Sequence, residues 1–429
     1  MKNELYAKVK TWVGDALMDY TFFLVRYSEK NLLGKLLCSF HHSFLKLFDI
    51  TFLPVESAVT YREKYNSCEI TAIRNNRTGF VSEPAFDVKK SKLIIEERQL
   101  PDLNLYHFYD VMVHGNSDIV VDKTHRCVIN DYCYDLDKNV KFVDGLLYQL
   151  KSNICILRSN LRHSSRRLPA GLMITGKFSK NFYHEILENL IKLVFLNELN
   201  VPERVPIIVD ESVKNVPAFS FILSTLLQHS QRSIVYVGFN EIVSFEELYV
   251  ISNVNRITPH LVNRPAKKDD IVFDVEALRK MRDSLLFFKT NTSTPTKIFL
   301  TRKNTSHRNF NEEEILNLLE PLGFVAIAPE EYSFQEQISI FNNSDFIIGG
   351  TGAAFTNLLF LKSGCKVLCI RPNVKGSPSG FTVLSAINHA YFLYYRSDEN
   401  RTSDNIHQDY FVNPYKFKDF LMDFISYEA

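Results

Sequence analysis

The stretch FIIGGTGAAFTN at residues 346–357 places glycines between an apolar strand and the start of a helix. Gly350 and Gly352 let the backbone come close to an anion, and the first N–H groups of the helix point at that anion. Thr351 adds a hydroxyl donor. Glycines also occur in such turns for geometry alone, so the motif by itself leaves an anion site and a plain tight turn both open.

Cations follow another apolar strand, in the stretch IFLTRKNTSHRN at residues 298–309. They are Arg302, Lys303 and Arg308, and cations at the carboxyl end of a strand suit a diphosphate. Surface arginines are usually just solvated. Together with the glycine turn two strands later, however, they favour a phosphate-bearing ligand.

His184 and Glu188 lie in a helix that Asn181 can cap. Residues four apart on a helix share a face, so the imidazole and the carboxylate can pair. A carboxylate beside an imidazole fixes its tautomer, which is how a general base is commonly built. A structural hydrogen-bonding role for His184 is the alternative.

These residues belong to a longer series of motifs: Asn181, His184 and Glu188; Arg302, Arg308, Asn311 and Glu312; Gly323 and Phe324; Pro329 and Glu330; Phe334, Glu336 and Gln337; Gly352, Ala353 and Asn357. In order and spacing the series resembles the glycosyltransferase family 61 domain. The resemblance covers roughly Gly171 to Pro372. At His307, next to Arg308, many family members have a second basic residue.

The resemblance implies a GT-B fold, a nucleotide-sugar donor and inversion at the anomeric carbon. Family 61 includes plant xylan arabinosyl- and xylosyltransferases, animal O-linked N-acetylglucosaminyltransferases and many bacterial proteins of polysaccharide loci. We therefore expect transfer from a nucleotide sugar, with a UDP-sugar favoured, to an oligosaccharide or a lipid-linked saccharide in capsule or other surface polysaccharide synthesis. The sequence does not identify the donor sugar, the acceptor or the linkage.

An inverting transfer requires a base for the acceptor hydroxyl, and cationic or N–H groups for the leaving diphosphate. His184 is the candidate base, supported by Glu188, and Glu188 itself is the alternative. Asn181 lies on the same, acceptor side. The residues expected to bind the donor are Arg302, Arg308, Glu330, Glu336, Gly350, Thr351, Gly352, Ala353 and Asn357.

No cofactor is expected, because the nucleotide sugar is a substrate, and no metal site is predicted. Asp135 and Asp137 form the one Asp-x-Asp pattern in the chain, and turn chemistry explains it. Arginines that neutralise the phosphates make a divalent ion redundant. The seven cysteines lack CxxC spacing, which argues against a zinc or redox motif and favours free thiols in a reducing compartment.

Short apolar strands alternate with amphipathic helices from residue 171 onward, which predicts an α/β protein. We expect two Rossmann-like, doubly wound domains facing a cleft, as in GT-B proteins, after an N-terminal extension that is helical and β-rich. The predicted boundaries are 1–60 for a helical extension, 61–290 for the acceptor-side domain, 291–400 for the nucleotide-sugar-binding domain and 401–429 for a C-terminal helix packing back on the N-terminal domain.

The chain has 429 residues and a formal net charge of +1, which gives no general attraction to nucleic acid or anionic lipid. We find no secretory signal and no run of about 18 apolar residues, so we expect a cytoplasmic protein. Leu- and Phe-rich helices in residues 12–55 are expected to cover a domain face. Peripheral association with the inner face of the plasma membrane is the alternative.

Two other classes of protein remain open. An NAD(P)-dependent oxidoreductase also needs a glycine turn after a strand, but its next strand ends in an acidic residue that binds the ribose. Here that strand ends at Arg371. A non-catalytic carbohydrate-binding protein is the second alternative, and the intact His184, Arg302 and Arg308 argue against it.

Overall fold

The computed structural model describes residues 51–83, 85–88, 95–122, 124, 127–129, 147–151, 154–157, 164–239, 241–257, 267–305, 308–374, 380–398 and 408–427. Predictions for residues 1–50, for Asp135 and Asp137 and for His307 fall outside this set. Within it, the chain is a mixed α/β protein with sheets of eleven, four and five strands. None of its helices there is long and apolar enough to cross a membrane.

The strands are β1 Thr51–Glu56, β2 Cys68–Arg74, β3 Thr78–Ser82, β4 Ile95–Gln99, β5 Leu103–His114, β6 Val120–Asp122, β7 Cys127–Ile129, β8 Leu147–Lys151, β9 Ile154–Leu157, β10 Arg166–Met173, β11 Ile207–Asp210, β12 Ile234–Val237, β13 Ile242–Ile251, β14 Arg256–Ile257, β15 Ile271–Asp274, β16 Lys297–Leu300, β17 Val325–Ile327, β18 Phe346–Gly350, β19 Lys366–Arg371 and β20 Tyr391–Arg396.

The α-helices are α1 Ala58–Tyr65, α2 Phe182–His184, α3 Glu211–Asn215, α4 Pro217–Leu226, α5 Val275–Leu286, α6 Glu312–Leu319, α7 Phe334–Asn343, α8 Gly380–Ala386 and α9 Pro414–Ser426. The α2 helix continues directly into a π-helical segment, Glu185–Asn189, and a 3-10 helix, Leu190–Glu198. Further 3-10 helices are Lys268–Asp270, Glu320–Leu322, Pro329–Glu331 and Ala353–Phe360.

The N-terminal unit, residues 51–289, is built on the eleven-stranded sheet. Strands β12, β11, β10 and β13 are neighbours in that order, and every pair among them is parallel. The β11 strand is buried along its whole length, as a parallel strand covered by helices requires. The sheet then continues through β5, which is antiparallel to β13, into the β-rich segment that precedes residue 164.

The C-terminal unit, residues 296–427, contains a five-stranded, fully parallel sheet in the order β17-β16-β18-β19-β20. After β16 the chain adds β17 on one side of it, and then places β18, β19 and β20 on the other side. The strand order therefore reverses between β16 and β18, and doubly wound sheets bind ligands in the crevice at such a reversal.

The helix predicted near the C-terminus forms as α9, and its aromatic side chains pack on the C-terminal unit. Phe424 stacks on Tyr391 at a ring separation of 5.9 Å, and Phe417 lies edge-on to Tyr395 at 5.1 Å. Both partners belong to β20. The apolar face of α9 therefore covers the five-stranded sheet of its own unit through these two pairs of aromatic rings.

The two units share a hydrophobic core. The Phe182 ring lies 6.0 Å from Phe219 in the N-terminal unit and 6.2 Å from Phe334 in the C-terminal unit. The segment that connects the two units is held where the Thr290 N–H donates to Ser339 Oγ at 2.7 Å. A large apolar interface of this kind fixes one unit relative to the other.

Candidate functional site

Arg302 lies at the strand-order reversal of the five-stranded sheet, directly after β16 and beside the end of β18. Its Nη1 donates to the Thr351 carbonyl at 2.9 Å. The Glu312 carboxylate accepts from the Arg302 backbone N–H at 2.9 Å and also from the Thr301 hydroxyl. The strand end is thereby held in place, and the guanidinium is held against the glycine turn.

The glycines of the turn make room for that guanidinium. A Cβ added at Gly352 would overlap Arg302 Nη1, and one at Gly350 would lie 2.7 Å from Arg302 Cδ. Close approach by an anion is the reason predicted for these glycines. The structure gives a further reason, which is close approach by an arginine.

The polar groups of Thr351 have partners within the protein, and its role in donor binding stays a prediction. Its N–H donates to the Ile370 carbonyl at 2.7 Å, and its hydroxyl is hydrogen bonded with the Cys369 thiol. The N–H groups of Ala353 and Ala354 lie in the first turn of the 3-10 helix, where no acceptor exists within the helix. They are the backbone donors that this turn can offer to an anion.

Arg308 supplies a second guanidinium near Arg302. Its backbone has a φ of 59°, which is uncommon for a residue other than glycine. Burial, and next the like charge of Arg302, lower the pKa of Arg308. Its buried Nε has no hydrogen-bond partner among the residues that the structure describes. Two neighbouring guanidiniums of this kind suit an anion with several oxygens.

A C-terminal segment, residues 409–412, holds the loop that carries Arg308. Tyr410 stacks on Phe310 with ring centroids 5.2 Å apart. The Asn311 side chain donates to the Val412 carbonyl and accepts from the Val412 N–H, each at 2.9 Å. We call the Asn311–Val412 and Phe310–Tyr410 contacts the clamp. Sequence patterns do not predict it, because its two halves are about a hundred residues apart.

Two of the predicted donor contacts are glutamates with different surroundings. Glu336 closes a capping box with Ser333 at the start of α7, so its carboxylate already stabilises a helix end. Glu330 is exposed after β17 and accepts a hydrogen bond from Asn304 at 2.8 Å. Glu330 therefore remains the better placed of the two for a ligand contact, and both roles stay predictions.

Asn357 is buried in the 3-10 helix that follows the glycine turn. Its amide nitrogen donates to Gln337 Oε1 at 3.0 Å, which ties this helix to α7. Its Oδ1 has no hydrogen-bond partner within the described part of the chain. The contact ties the segment after the glycine turn to α7, and the predicted donor-binding role of Asn357 stays a prediction.

The predicted cap and pair at the start of α2 are confirmed. The Asn181 side chain accepts from the backbone N–H groups of Tyr183 and His184 at 3.0 and 3.4 Å. His184 Nδ1 is hydrogen bonded to Glu188 Oε1. Glu188 lies in the π-helical segment, a geometry that often marks functional sites.

Lys177, which the sequence analysis missed, pairs with the other oxygen of Glu188, at 3.0 Å. Burial tends to raise the pKa of Glu188, but Lys177 and His184 outweigh burial, so the pKa is lowered. The Glu188 side chain is 4% exposed and the His184 side chain 21%. Both oxygens of Glu188 are paired, whereas the Nε2 atom of His184 is left for a substrate. The geometry therefore favours His184 over Glu188 as the proton acceptor. No local pattern marks Lys177, because the burial of a lysine does not show in the sequence around it.

The two groups of candidate residues lie in neighbouring elements. Residues 182–184 of α2 contact the 3-10 helix Ala353–Phe360, which directly follows the glycine turn. The candidate proton acceptor and the candidate anion site are therefore held by elements that pack on each other. That arrangement can remove a proton on one side while it stabilises a leaving anion on the other.

Comparison with known families matches residues 182–368 to the Glycosyltransferase 61 family. The predicted resemblance is confirmed over this segment, which runs from the start of α2 into β19 and supports a glycosyltransferase. It contains the catalytic and donor-side candidates, whereas Asn181 and Lys177 precede it. No curated protein matches the chain at a significant level.

Replacing Gly352 with alanine is expected to displace the Arg302 guanidinium, because the added Cβ would overlap it. A charge-assisted hydrogen bond is worth about 1.5–3 kcal/mol, so affinity for inorganic pyrophosphate should fall roughly ten-fold or more. Calorimetric titration measures this. Gly238→Ala is the matched control, since its Cβ would lie 3.5 Å from the nearest atom. Unchanged affinity in the Gly352 variant would contradict the arginine assignment.

Proposed function

We propose that this protein is an inverting glycosyltransferase of GT-B type, which moves a sugar from a nucleotide-sugar donor to a saccharide acceptor. The observation that carries the proposal is the contact between α2, which bears the His184–Glu188 pair, and the 3-10 helix beside Arg302. The family match over residues 182–368 supports the same class of reaction.

The donor diphosphate binds at the strand-order reversal of the five-stranded sheet. Arg302 and Arg308 contact its oxygens, and the N–H groups of Ala353 and Ala354 add neutral donors. Negative charge grows on this diphosphate as the bond to the sugar breaks. Fixed cations at that position therefore stabilise the transition state more than the ground state.

His184 accepts the proton of the acceptor hydroxyl at Nε2, while Glu188 stabilises the imidazolium through Nδ1. The acceptor oxygen forms a bond to the anomeric carbon as the bond from that carbon to the diphosphate oxygen breaks. The two bonds lie on opposite faces of the sugar, so the anomeric configuration inverts. The nucleoside diphosphate leaves as an anion held by the arginines.

The donor, the acceptor and the location complete the proposal. A UDP-sugar as donor, and an oligosaccharide or lipid-linked saccharide of capsule or other surface polysaccharide as acceptor, follow from the family resemblance. A cytoplasmic location, with or without peripheral binding to the membrane, agrees with cysteines that lack the CxxC spacing of a zinc or redox motif. Glu330 is proposed to contact the ribose or the base, since it follows the strand next to β16.

The oxidoreductase alternative gains no support from the site. The strand after the glycine turn, β19, ends in the buried Arg371, whose guanidinium lies 5.5 Å from the Tyr394 ring. A dinucleotide-binding domain requires an acidic side chain there to bind the ribose. A cation at this position suits a phosphate instead.

A thermal-shift screen with UDP-, GDP- and CMP-sugars and with NAD(P) tests the donor class. A ligand that binds the folded state raises the melting temperature, and a UDP-sugar is expected to raise it most. NMR of the product sugar should then show the inverted anomeric configuration. Stabilisation by NAD(P) alone would favour the oxidoreductase and contradict the proposal.

Replacing His184 with alanine should lower the transfer rate by about 10²–10⁴-fold, because the acceptor hydroxyl loses its base. Affinity for the nucleoside diphosphate should be unchanged, since the arginine side of the site is intact. His229→Ala, at an exposed position of the same unit, is the control and should transfer at the wild-type rate. Equal losses of transfer and nucleotide affinity would remove His184 from the role of base.

Transfer is expected to survive an excess of EDTA, because Arg302 and Arg308 supply the positive charge that a divalent ion supplies in metal-dependent transferases. Initial rates with and without chelator measure this directly. Complete loss of activity that is restored by Mg²⁺ or Mn²⁺ would overturn metal independence while leaving the transferase assignment standing.

A further inference from the structure

Lys177 is a charged residue in an interior position. It follows β10, and its side chain is only 2% exposed. The ammonium lies 3.0 Å from Glu188 Oε2, 3.3 Å from the Ile257 carbonyl and 3.8 Å from Asp118 Oδ2. Burying an ammonium is unfavourable unless it is paired, and an apolar side chain would often be at least as stable. A role beyond packing explains why a lysine occupies this position.

The two oxygens of Glu188 are divided between two partners. Oε1 is hydrogen bonded with His184 Nδ1, and Oε2 pairs with Lys177. As long as Glu188 is an anion, it can only accept, so the proton of a neutral imidazole must lie on Nδ1. Nε2 is then the nitrogen with a lone pair. A protonated Glu188 could donate to Nδ1 instead, which would move the ring proton to Nε2 and remove the base.

Other titratable groups lie near the contacts that join Lys177, Glu188 and His184, and they differ in the charge that they carry at neutral pH. Burial raises the pKa of Glu185 to about 8, so this carboxyl is mainly uncharged at neutral pH. Burial lowers the pKa of Lys192, and its ammonium forms no ion pair with Glu188 within the described residues. The groups whose charges act on the Glu188 region are Lys177, His184, Glu185, Lys192, Asp118, Tyr183 and Tyr394.

We infer that Lys177 is a positioning residue, which holds the Glu188 carboxylate as an anion against His184 Nδ1 and so leaves Nε2 free to accept the acceptor proton. The inference rests on the proposed function, in which His184 is the base. Lys177 does not touch the substrate in this scheme. It acts through Glu188, and it precedes the segment matched to the family.

The sign of its effect on pH dependence follows from charge. As the pH falls, the His184–Glu188 pair takes up one proton in addition to the hydrogen on Nδ1. The base works only while that additional proton is absent. Removing the neighbouring cation makes the pair bind the proton more tightly, so the proton leaves at a higher pH. Activity should therefore be lost at neutral pH and recovered at alkaline pH.

The test compares Lys177→Met with Lys192→Met, two buried lysines of the same unit of which one pairs with Glu188. The acid limb of kcat/KM against pH should move up by about 1–3 pH units in the Lys177 variant, the range for loss of an adjacent opposite charge. It should move far less in the Lys192 variant. NMR titration of the His184 imidazole in the free protein should show the same shifts without any assay of transfer.

A uniform loss of rate at every pH, with an unchanged His184 titration, would make Lys177 merely structural and overturn the inference. Equal shifts in both variants would overturn it as well. The NMR titration separates this result from failure of the proposed function, which the His184→Ala assay decides. If Lys177→Met does not fold, Glu188→Gln is compared with Lys177→Met/Glu188→Gln. The double variant should be the more stable of the two, because it leaves no buried ammonium without its partner. The opposite order of stability would contradict the inference.

Discussion

The packing of the first residues of α2 against the 3-10 helix Ala353–Phe360 places both halves of the candidate site. Phe182 lies between aromatic rings from the two units, and His184 follows it by two residues. The proposed proton acceptor is therefore positioned by the same core that fixes the glycine turn. Reaction rates depend steeply on such positioning, since small displacements of a catalytic group are costly. A shared apolar core does this more firmly than a flexible hinge between two separate domains.

The two sides of the site use charge in opposite ways. Near His184 the buried charges are matched, with Lys177 against Glu188, and the histidine keeps one nitrogen for the substrate. Near the glycine turn, positive charge accumulates: Arg302 lies close enough to Arg308 to lower its pKa. Matched charges suit a group that must stay a neutral base, and accumulated cations suit a ligand that arrives with negative charge and gains more as it leaves.

Features that depend on local pattern could be predicted from the sequence. The helix at Glu312–Leu319, the Asn181 cap and the His184–Glu188 pair follow from spacing alone. Lys177 could not be found in this way, because nothing in its neighbourhood reveals that it is buried. The strand β20, the docking of α9 and the clamp between Asn311 and Val412 depend on contacts between distant segments. The glycines and Arg302 were each predicted, but the contact between them was not, because it joins segments 49 residues apart.

The functional unit extends beyond the segment that carries the family match. Before it, Asn181 caps α2 and Lys177 pairs with Glu188. After it, Tyr410 packs on the loop that carries Arg308, and its hydroxyl donates to the Ile370 carbonyl at 3.3 Å, next to the glycine turn. The matched segment thus contains the groups proposed to meet the substrate, while its flanks hold those groups in position. Since a guanidinium or an imidazole acts only in a fixed geometry, the flanks belong to the site as much as the motif does.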